Sequence, residues 1–307
     1  MRNFPLLLLA FLGMIRLGFS QEGSSLQQKL ELIARDFKGE LGIYVKNLNT
    51  QESAQINSDS IFPTASIVKI PILLGIFEKI EKEELQFHQS LIYRDSIKYG
   101  GSGLMQFFND STQTDLRTLV ALMLSYSDNT TSLWLQGLAG GGESINPLLE
   151  KWGVQHTRIN SRTPGREKDW EIYGWGQTTP KEMAQLLEGI YKGTIFGRSS
   201  SEQMTRLLSN SYYTEYALSQ IPPTINVLSK QGMVNASRSE VLLVNSPAGD
   251  YVLSFFTKNN EDESWEYDNE AWKLSRKVSH EVWNHFNPNS PYQIPQNAEK
   301  FLKGINY

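Results

Sequence analysis

Residues 66–69 read Ser66-Ile67-Val68-Lys69 and open a segment whose spacing predicts a helix from about Ser66 to Lys82. One helical turn separates the serine from the lysine, so the two side chains share a face and their heads can meet. A serine hydroxyl attacks poorly until a base takes its proton, and a lysine held among other cations or away from water is neutral enough to do so. The helix N-terminus adds free N–H groups and partial positive charge where an oxyanion would form. The tetrapeptide alone is weak, because Ser-x-x-Lys is expected about once by chance in a chain of this length. Pro71 lies inside the same helix, where it costs a backbone hydrogen bond and points to a local constraint.

Upstream, Leu26, Leu30, Ile33, Ala34 and Phe37 fall at helical spacing until Gly39 stops the pattern. Leu41-Gly42-Ile43-Tyr44-Val45 reads as a strand, Asn47 to Thr50 as a turn, and Glu52 to Asn57 as the hairpin partner. Downstream the rhythm is helical, with Leu116, Leu119, Val120 and Met123 on one face, then Leu133 to Leu138 and Pro147 to Trp152. Thr157 to Thr178 is rich in Arg, Gly and Trp without a clear period, and a loop of that length inside a compact domain is usually functional. Helices are expected from Pro180 to Tyr191 and from Ser201 to Leu208. Strands at Val227 to Val234, Ser239 to Val244 and Tyr251 to Thr257 should form a meander. A closing helix from about Asp262 to Phe286 should set Trp265, Trp272, Val278 and Trp283 against the sheet. Early strands, a helical middle and late strands predict one antiparallel sheet with flanking helices, adjacent chain ends and an inserted helical lobe.

With 307 residues, 39% hydrophobic and 20% charged, the chain can bury one or two cores. A formal charge of −4 and the lack of any dense Lys/Arg run exclude a nucleic-acid partner. Arg2, an apolar run from Phe4 to Ile15, and small residues at Gly18 and Ser20 form a signal-peptide pattern over residues 1–20, which leaves 21–307 as the catalytic domain and predicts a periplasmic or secreted protein. Arg16 breaks the run short of the roughly 20 apolar residues that span a bilayer, so no stable membrane anchor is expected after cleavage. Without cysteine, neither a disulfide nor a lipid-modified cysteine is possible. His88, His156, His280 and His285 show no metal spacing, the last two are expected at the surface, and no Gly-x-Ser-x-Gly elbow is present. No metal or other cofactor is expected, and a monomer is.

Two further elements carry chemistry. Ser127-Asp128-Asn129 follows one helix and precedes the Thr130-Thr131 start of another, a context in which short polar side chains often merely cap. Lys230-Gln231-Gly232 sits on an expected strand, where glycine lets a ligand approach the backbone. In this order, 61 and then 103 residues apart, the three elements resemble the S-x-x-K, S-D-N and K-T-G set of class A β-lactamases and penicillin-binding proteins. The resemblance extends over nearly all of residues 21–307, including the Thr178-Thr179-Pro180 lead into a helix. It implies the α/β sandwich of the β-lactamase/transpeptidase type and acylation by a small β-lactam or a cell-wall peptide. By the same resemblance Ser66 is the acylated nucleophile, Lys69 its proton partner, and Ser127 the relay to the leaving nitrogen. Asn129 binds the substrate amide, and Lys230 supplies charge for the substrate carboxylate and for Ser127. Gly232 belongs to the substrate-binding strand, and the oxyanion hole is formed by the N–H groups of Ser66 and Met233. Arg238 is a candidate carboxylate partner, with an exposed strand-end arginine as the alternative.

Two positions depart from the pattern. Gln231 stands where the family has Thr or Ser, so the hydroxyl that receives a substrate carboxylate is missing. The family's Glu-x-x-Leu-Asn element, whose glutamate activates the deacylating water, is absent; Arg162 and Thr163 occupy the expected interval. Glu167, in a shifted loop, is the candidate replacement, with an exposed, arginine-paired glutamate as the alternative and Glu171 further along. Three readings follow. The first is a β-lactamase, the second a D,D-peptidase or esterase with slow lactam deacylation, and the third a non-catalytic penicillin-binding or peptidoglycan-sensing module.

Overall fold

A computed structural model describes residues 25–295 and 298, so the expected signal segment 1–20 lies outside the described residues. α1 (Ser25–Ala34) precedes a hairpin of β1 (Glu40–Asn47) and β2 (Ser53–Ile56). The Asn47 carboxamide makes that turn by accepting from the N–H groups of Asn49 and Thr50 at 2.9 and 3.0 Å. β3 (Phe62–Pro63) and a 3₁₀ turn over Ala65–Val68 lead into α2 (Lys69–Glu81). The expected helix from Ser66 therefore begins as a tighter turn. Pro71 falls in the first α-helical turn, where an N–H is dispensable, which removes the penalty its position suggested.

A small hairpin of β4 (Ser90–Ile92) and β5 (Gln113–Asp115) precedes α3 (Leu116–Ser125), α4 (Asn129–Leu138) and α5 (Gly141–Lys151). These helices pack around α2, which is apolar on every side; Ile70, Ile72, Leu73, Leu74, Ile76 and Phe77 are all fully buried, as a helix at the centre of a lobe requires. The segment 157–178 is more ordered than its composition suggests. β6 (Arg158–Ile159) pairs with β7 (Gly176–Thr178), and α6 (Glu167–Tyr173) lies between them. α7 (Pro180–Lys192) then starts at Thr179, whose hydroxyl accepts from the N–H of Glu182. The Glu182 carboxylate reaches back to the N–H groups of Gln155, His156 and Thr157 within 2.7–3.1 Å, pinning the start of that segment.

After α8 (Arg198–Leu208) the chain returns through β8 (Val227–Val234), β9 (Ser237–Val244) and β10 (Tyr251–Lys258) and closes with α9 (Glu270–Phe286). The five long strands form one antiparallel sheet in the order β2-β1-β10-β9-β8, so the last strand sits beside the first and the two ends of the chain complete one sheet. β9 is buried along its whole length. Its Val241 and Leu243 face the helical lobe, whereas Leu242 and Val244 face α1 and α9, giving two cores either side of the sheet. At roughly 1.5–3 kcal/mol per buried Val or Leu, these alternating side chains hold the layers together.

One aromatic residue departs from its expected place. α9 begins at Glu270 rather than near Asp262, because Asn269 caps it and Asp262 accepts from the N–H of Glu270. Trp265 therefore lies on the capping segment, 48% exposed, not in the core. His280 and His285 are half-buried, and His285 pairs with Glu52 at 2.8 Å. No described helix is long and apolar enough to cross a membrane.

Candidate active site

Three elements meet where the helical lobe faces the free edge of β8. The 3₁₀ turn brings Ser66, the turn before α4 brings Ser127, and β8 brings Lys230. Ala65 and Ser127 both hold a positive φ, +44° and +53°, which a side chain bearing a Cβ adopts only when its surroundings enforce it. At Ser127 the enforcing group is the next residue. The buried Asp128 carboxylate accepts from the N–H of Thr131 at 2.8 Å and from those of Leu104 and Met105 at 2.6 and 2.7 Å. It thus both caps α4 and ties down the loop opposite. Gly103 allows that approach: its φ is +103°, and a Cβ there would stand 2.2 Å from the Asp128 carboxylate.

Lys69 is the hub. Its Nζ, completely buried, lies 2.9 Å from Ser66 Oγ, 2.6 Å from the Ser127 carbonyl oxygen, 3.0 Å from Ser127 Oγ and 3.0 Å from Asn129 Oδ1. Burial, then the nearby Lys230 charge, hold its pKa well below the ordinary lysine range, with Asp128 opposing. A neutral amine has two N–H bonds and one lone pair. The Ser127 carbonyl and the Asn129 Oδ1 can only accept, so they take the two N–H bonds and leave the lone pair for a hydroxyl, either Ser66 or Ser127. Lys230 Nζ donates to Ser127 Oγ at 3.1 Å and to the Gln231 carbonyl at 3.0 Å, and burial lowers its pKa to about 7. Ser127 Oγ therefore stands between two amines, within proton-transfer distance of both.

Gly232 is required for a different reason. A Cβ there would stand 2.4 Å from the Thr64 carbonyl oxygen and 3.0 Å from the Ser66 nitrogen. Only glycine lets the backbone of β8 come against the turn carrying the nucleophile, as paired N–H groups from Ser66 and Met233 would need. The cleft above has a volume of about 1020 Å³ and is lined by Ser66, Ser127, Asn129, Gln231 and Met233.

Two expected site residues are not brought to this cleft. The Arg238 side chain is fully buried: its guanidinium donates to the carbonyls of Asn235, Ser237, Glu263 and Ser264 and packs 4.5 Å from the centre of the Trp265 ring and 5.1 Å from that of Trp272. This is a structural clamp, neither a carboxylate receptor nor an exposed strand end. Arg238→Ala is expected to lower stability by about 3 kcal/mol, the scale of removing a buried, multiply bonded cation, and chemical denaturation measures it. Glu167 is exposed, accepts from the Gly165 N–H at 3.1 Å, and lines a neighbouring cavity rather than the Ser66 cleft. Arg166 pairs with Asp169 instead of Glu167 and bonds Asn160 and Gln177, bracing the base of the loop. Glu171, with Trp170 and Tyr173, does line the cleft.

The structure also brings forward Glu240, which no local pattern marks: it sits mid-strand on β9 and is fully buried close to Lys230. No group of three or more metal-ligating side chains occurs among the described residues.

A family model described as the beta-lactamase enzyme family matches residues 25–286. The chain belongs to that family. As a member it is a class A β-lactamase-like serine hydrolase, and its relatives include the β-lactamase VEB-1 of Pseudomonas aeruginosa, 24% identical over 85% of this chain and 90% of that protein. Among solved structures, a mutant of PBP-A in acyl-enzyme complex with penicillin G has a TM-score of 0.75 at 24% identity, covering 86% of this chain and 96% of that one. A β-lactamase from Sphaerobacter thermophilus has a TM-score of 0.76 at 21% identity, covering 87% and 99%. These likenesses show the fold, the antiparallel sheet with flanking helices and an inserted lobe that the order of elements predicts.

Proposed function

We propose that this β-lactamase-family protein opens the amide bond of β-lactams through an ester to Ser66, working outside the cytoplasm after removal of residues 1–20. The observation carrying the proposal is the position of Lys69 Nζ, a buried amine whose pKa burial and the Lys230 charge hold well below the ordinary lysine range, 2.9 Å from Ser66 Oγ and 3.0 Å from Ser127 Oγ. Lys69 takes the Ser66 proton as Oγ attacks the lactam carbonyl, and the oxyanion is held by the N–H groups of Ser66 and Met233. The C–N bond then breaks while Ser127 gives its proton to the departing nitrogen and is resupplied by the Lys69 ammonium, so the proton balance closes. Lys230 favours the anion on Ser127 and draws an anionic substrate group. VEB-1 by its name, and PBP-A as an acyl-enzyme with penicillin G, support β-lactams as the substrate class.

Deacylation is the slower half in this reading, because none of the four hydrogen-bond partners of Lys69 is a carboxylate. The same observation favours, as the second reading, a penicillin-binding enzyme acting on cell-wall peptide whose lactam ester persists. Intact mass spectrometry over time after mixing with a penicillin separates them: an adduct that forms and clears supports the lactamase, one that accumulates supports the second, and none refutes both. In the same assay Glu167→Gln is expected to leave the decay rate within about two-fold of wild type. A general base contributes typically about 10²–10⁴-fold, so slowing of that size would restore Glu167 to catalysis.

A further inference from the structure

Two buried oxygens next to the active site lack partners, and they belong to neighbouring side chains. Gln231 lines the cleft from the edge strand β8, yet is only 2% exposed, and its Oε1 is buried without a hydrogen-bond partner. Directly across on β9 stands Glu240, in register with Gln231. Cross-strand partners project from the same face with their Cβ atoms roughly 5 Å apart. Glu240 is 3% exposed; its Oε2 accepts from the Ala217 N–H at 2.7 Å, and its Oε1 is also without a partner. Two unsatisfied buried acceptors on cross-strand neighbours are unfavourable unless a hydrogen is supplied between them.

Two arrangements supply that hydrogen. With Glu240 protonated, its O–H donates to Gln231 Oε1 and the Gln231 Nε2 faces the cleft as a donor. With Glu240 ionised, the amide turns over, Nε2 donates to the carboxylate and Oε1 faces the cleft as an acceptor. We propose that Glu240 is a positioning residue for Gln231, and that its proton decides whether the cleft offers a donor to the anionic group of a substrate or an acceptor that repels it. The inference rests on the acyl-transfer reading above and names a residue that determines its substrate class: a carboxylate-bearing acyl donor is accepted only in the protonated state.

The surroundings favour the proton. Burial, followed by the charge of Glu215, raises the Glu240 carboxyl to about 8, against the Ala217 and Leu218 N–H groups and the Lys230 ammonium. Every element packed there contributes. Glu215 and Tyr216 approach from the segment before residue 217, Lys230 from β8 and Arg238 from the same face of β9. Arg276 on α9 acts on Glu215. Arg238 gives four of its N–H bonds to carbonyls, and its Nε, the fifth donor, is buried without a partner, with no hydrogen bond to Glu240.

The test compares acylation by benzylpenicillin and by its uncharged methyl ester in wild type, Glu240→Gln and Gln231→Leu. In wild type the acid-to-ester rate ratio should fall roughly ten-fold as pH rises through about 8, the size of one hydrogen bond to a charge. Both variants keep Lys230, so they should keep the decline that its titration gives near pH 7 and lose only the added fall near 8. Should Glu240→Gln fail to fold, Gln231→Leu decides alone; an equal fall in all folded forms assigns the step to Lys230 and overturns the proposal. A second readout needs no substrate. Because folding raises this carboxyl, its stabilisation is full below the ordinary value of 4.5 and declines as pH rises toward about 8. The wild-type unfolding midpoint should show that decline and Glu240→Gln should lack it, while an unchanged decline refutes the assignment. If penicillin labels no form at any pH, the functional reading fails, and the unfolding profiles still decide the pairing.

Discussion

Ser66→Ala is expected to abolish covalent labelling by a penicillin while leaving the fold in place. The substitution removes one oxygen from a 3₁₀ turn whose Ala65, Ile67 and Val68 remain buried, and Lys69 keeps its three bonds to Ser127 and Asn129. Ser127 Oγ is held by both lysine amines, at 3.0 Å from Lys69 Nζ and 3.1 Å from Lys230 Nζ, and its carbonyl is tied to Lys69 as well. The checks are adduct mass under saturating penicillin and the thermal unfolding midpoint. Labelling at wild-type stoichiometry would reject Ser66 as the nucleophile.

Lys69→Ala is expected to slow acylation by about 10²–10⁴-fold even at saturating substrate, the typical contribution of a general base. The loss should appear in the limiting rate rather than in apparent affinity, because Lys69 touches the two serine hydroxyls. Lys230→Ala should instead weaken apparent affinity for an anionic substrate. With its pKa lowered to about 7, Lys230 is charged below that pH and neutral above it, so wild-type affinity for such a substrate should decline as pH rises through 7. Stopped-flow acylation over a range of penicillin concentrations separates the two effects. If both variants changed only affinity, the division of labour between the lysines would be wrong.

Of the two glutamates on α6, Glu171 lines the Ser66 cleft and Glu167 does not. The interval at which a family glutamate would stand holds Thr163, buried against Gly142, so the loop keeps its packing role at that position without a base.

The sequence by itself determined the sheet, the lobe and the nucleophilic cluster, because those depend on local signals. Short strand-like stretches bounded by turn residues mark β1, β8, β9 and β10; an all-round apolar stretch marks α2; and Ser66 lies three residues from Lys69, a distance one turn closes. It also marked Ser127 and Lys230 by their types and order. What only the tertiary structure decided are the relations between residues far apart in the chain. Arg238 belongs to Trp265 and Trp272 because α9 starts late and lays its capping segment over β9. Glu167 lines a neighbouring cavity and not the Ser66 cleft, a placement that follows from where α6 sits between the paired β6 and β7. Glu240 faces Gln231 because the register of β8 on β9 places it there, and a one-residue slip would have turned it to the opposite face. Periodicity tells which face a side chain takes within its own element; the partner it meets is set by register and packing, which no local pattern contains.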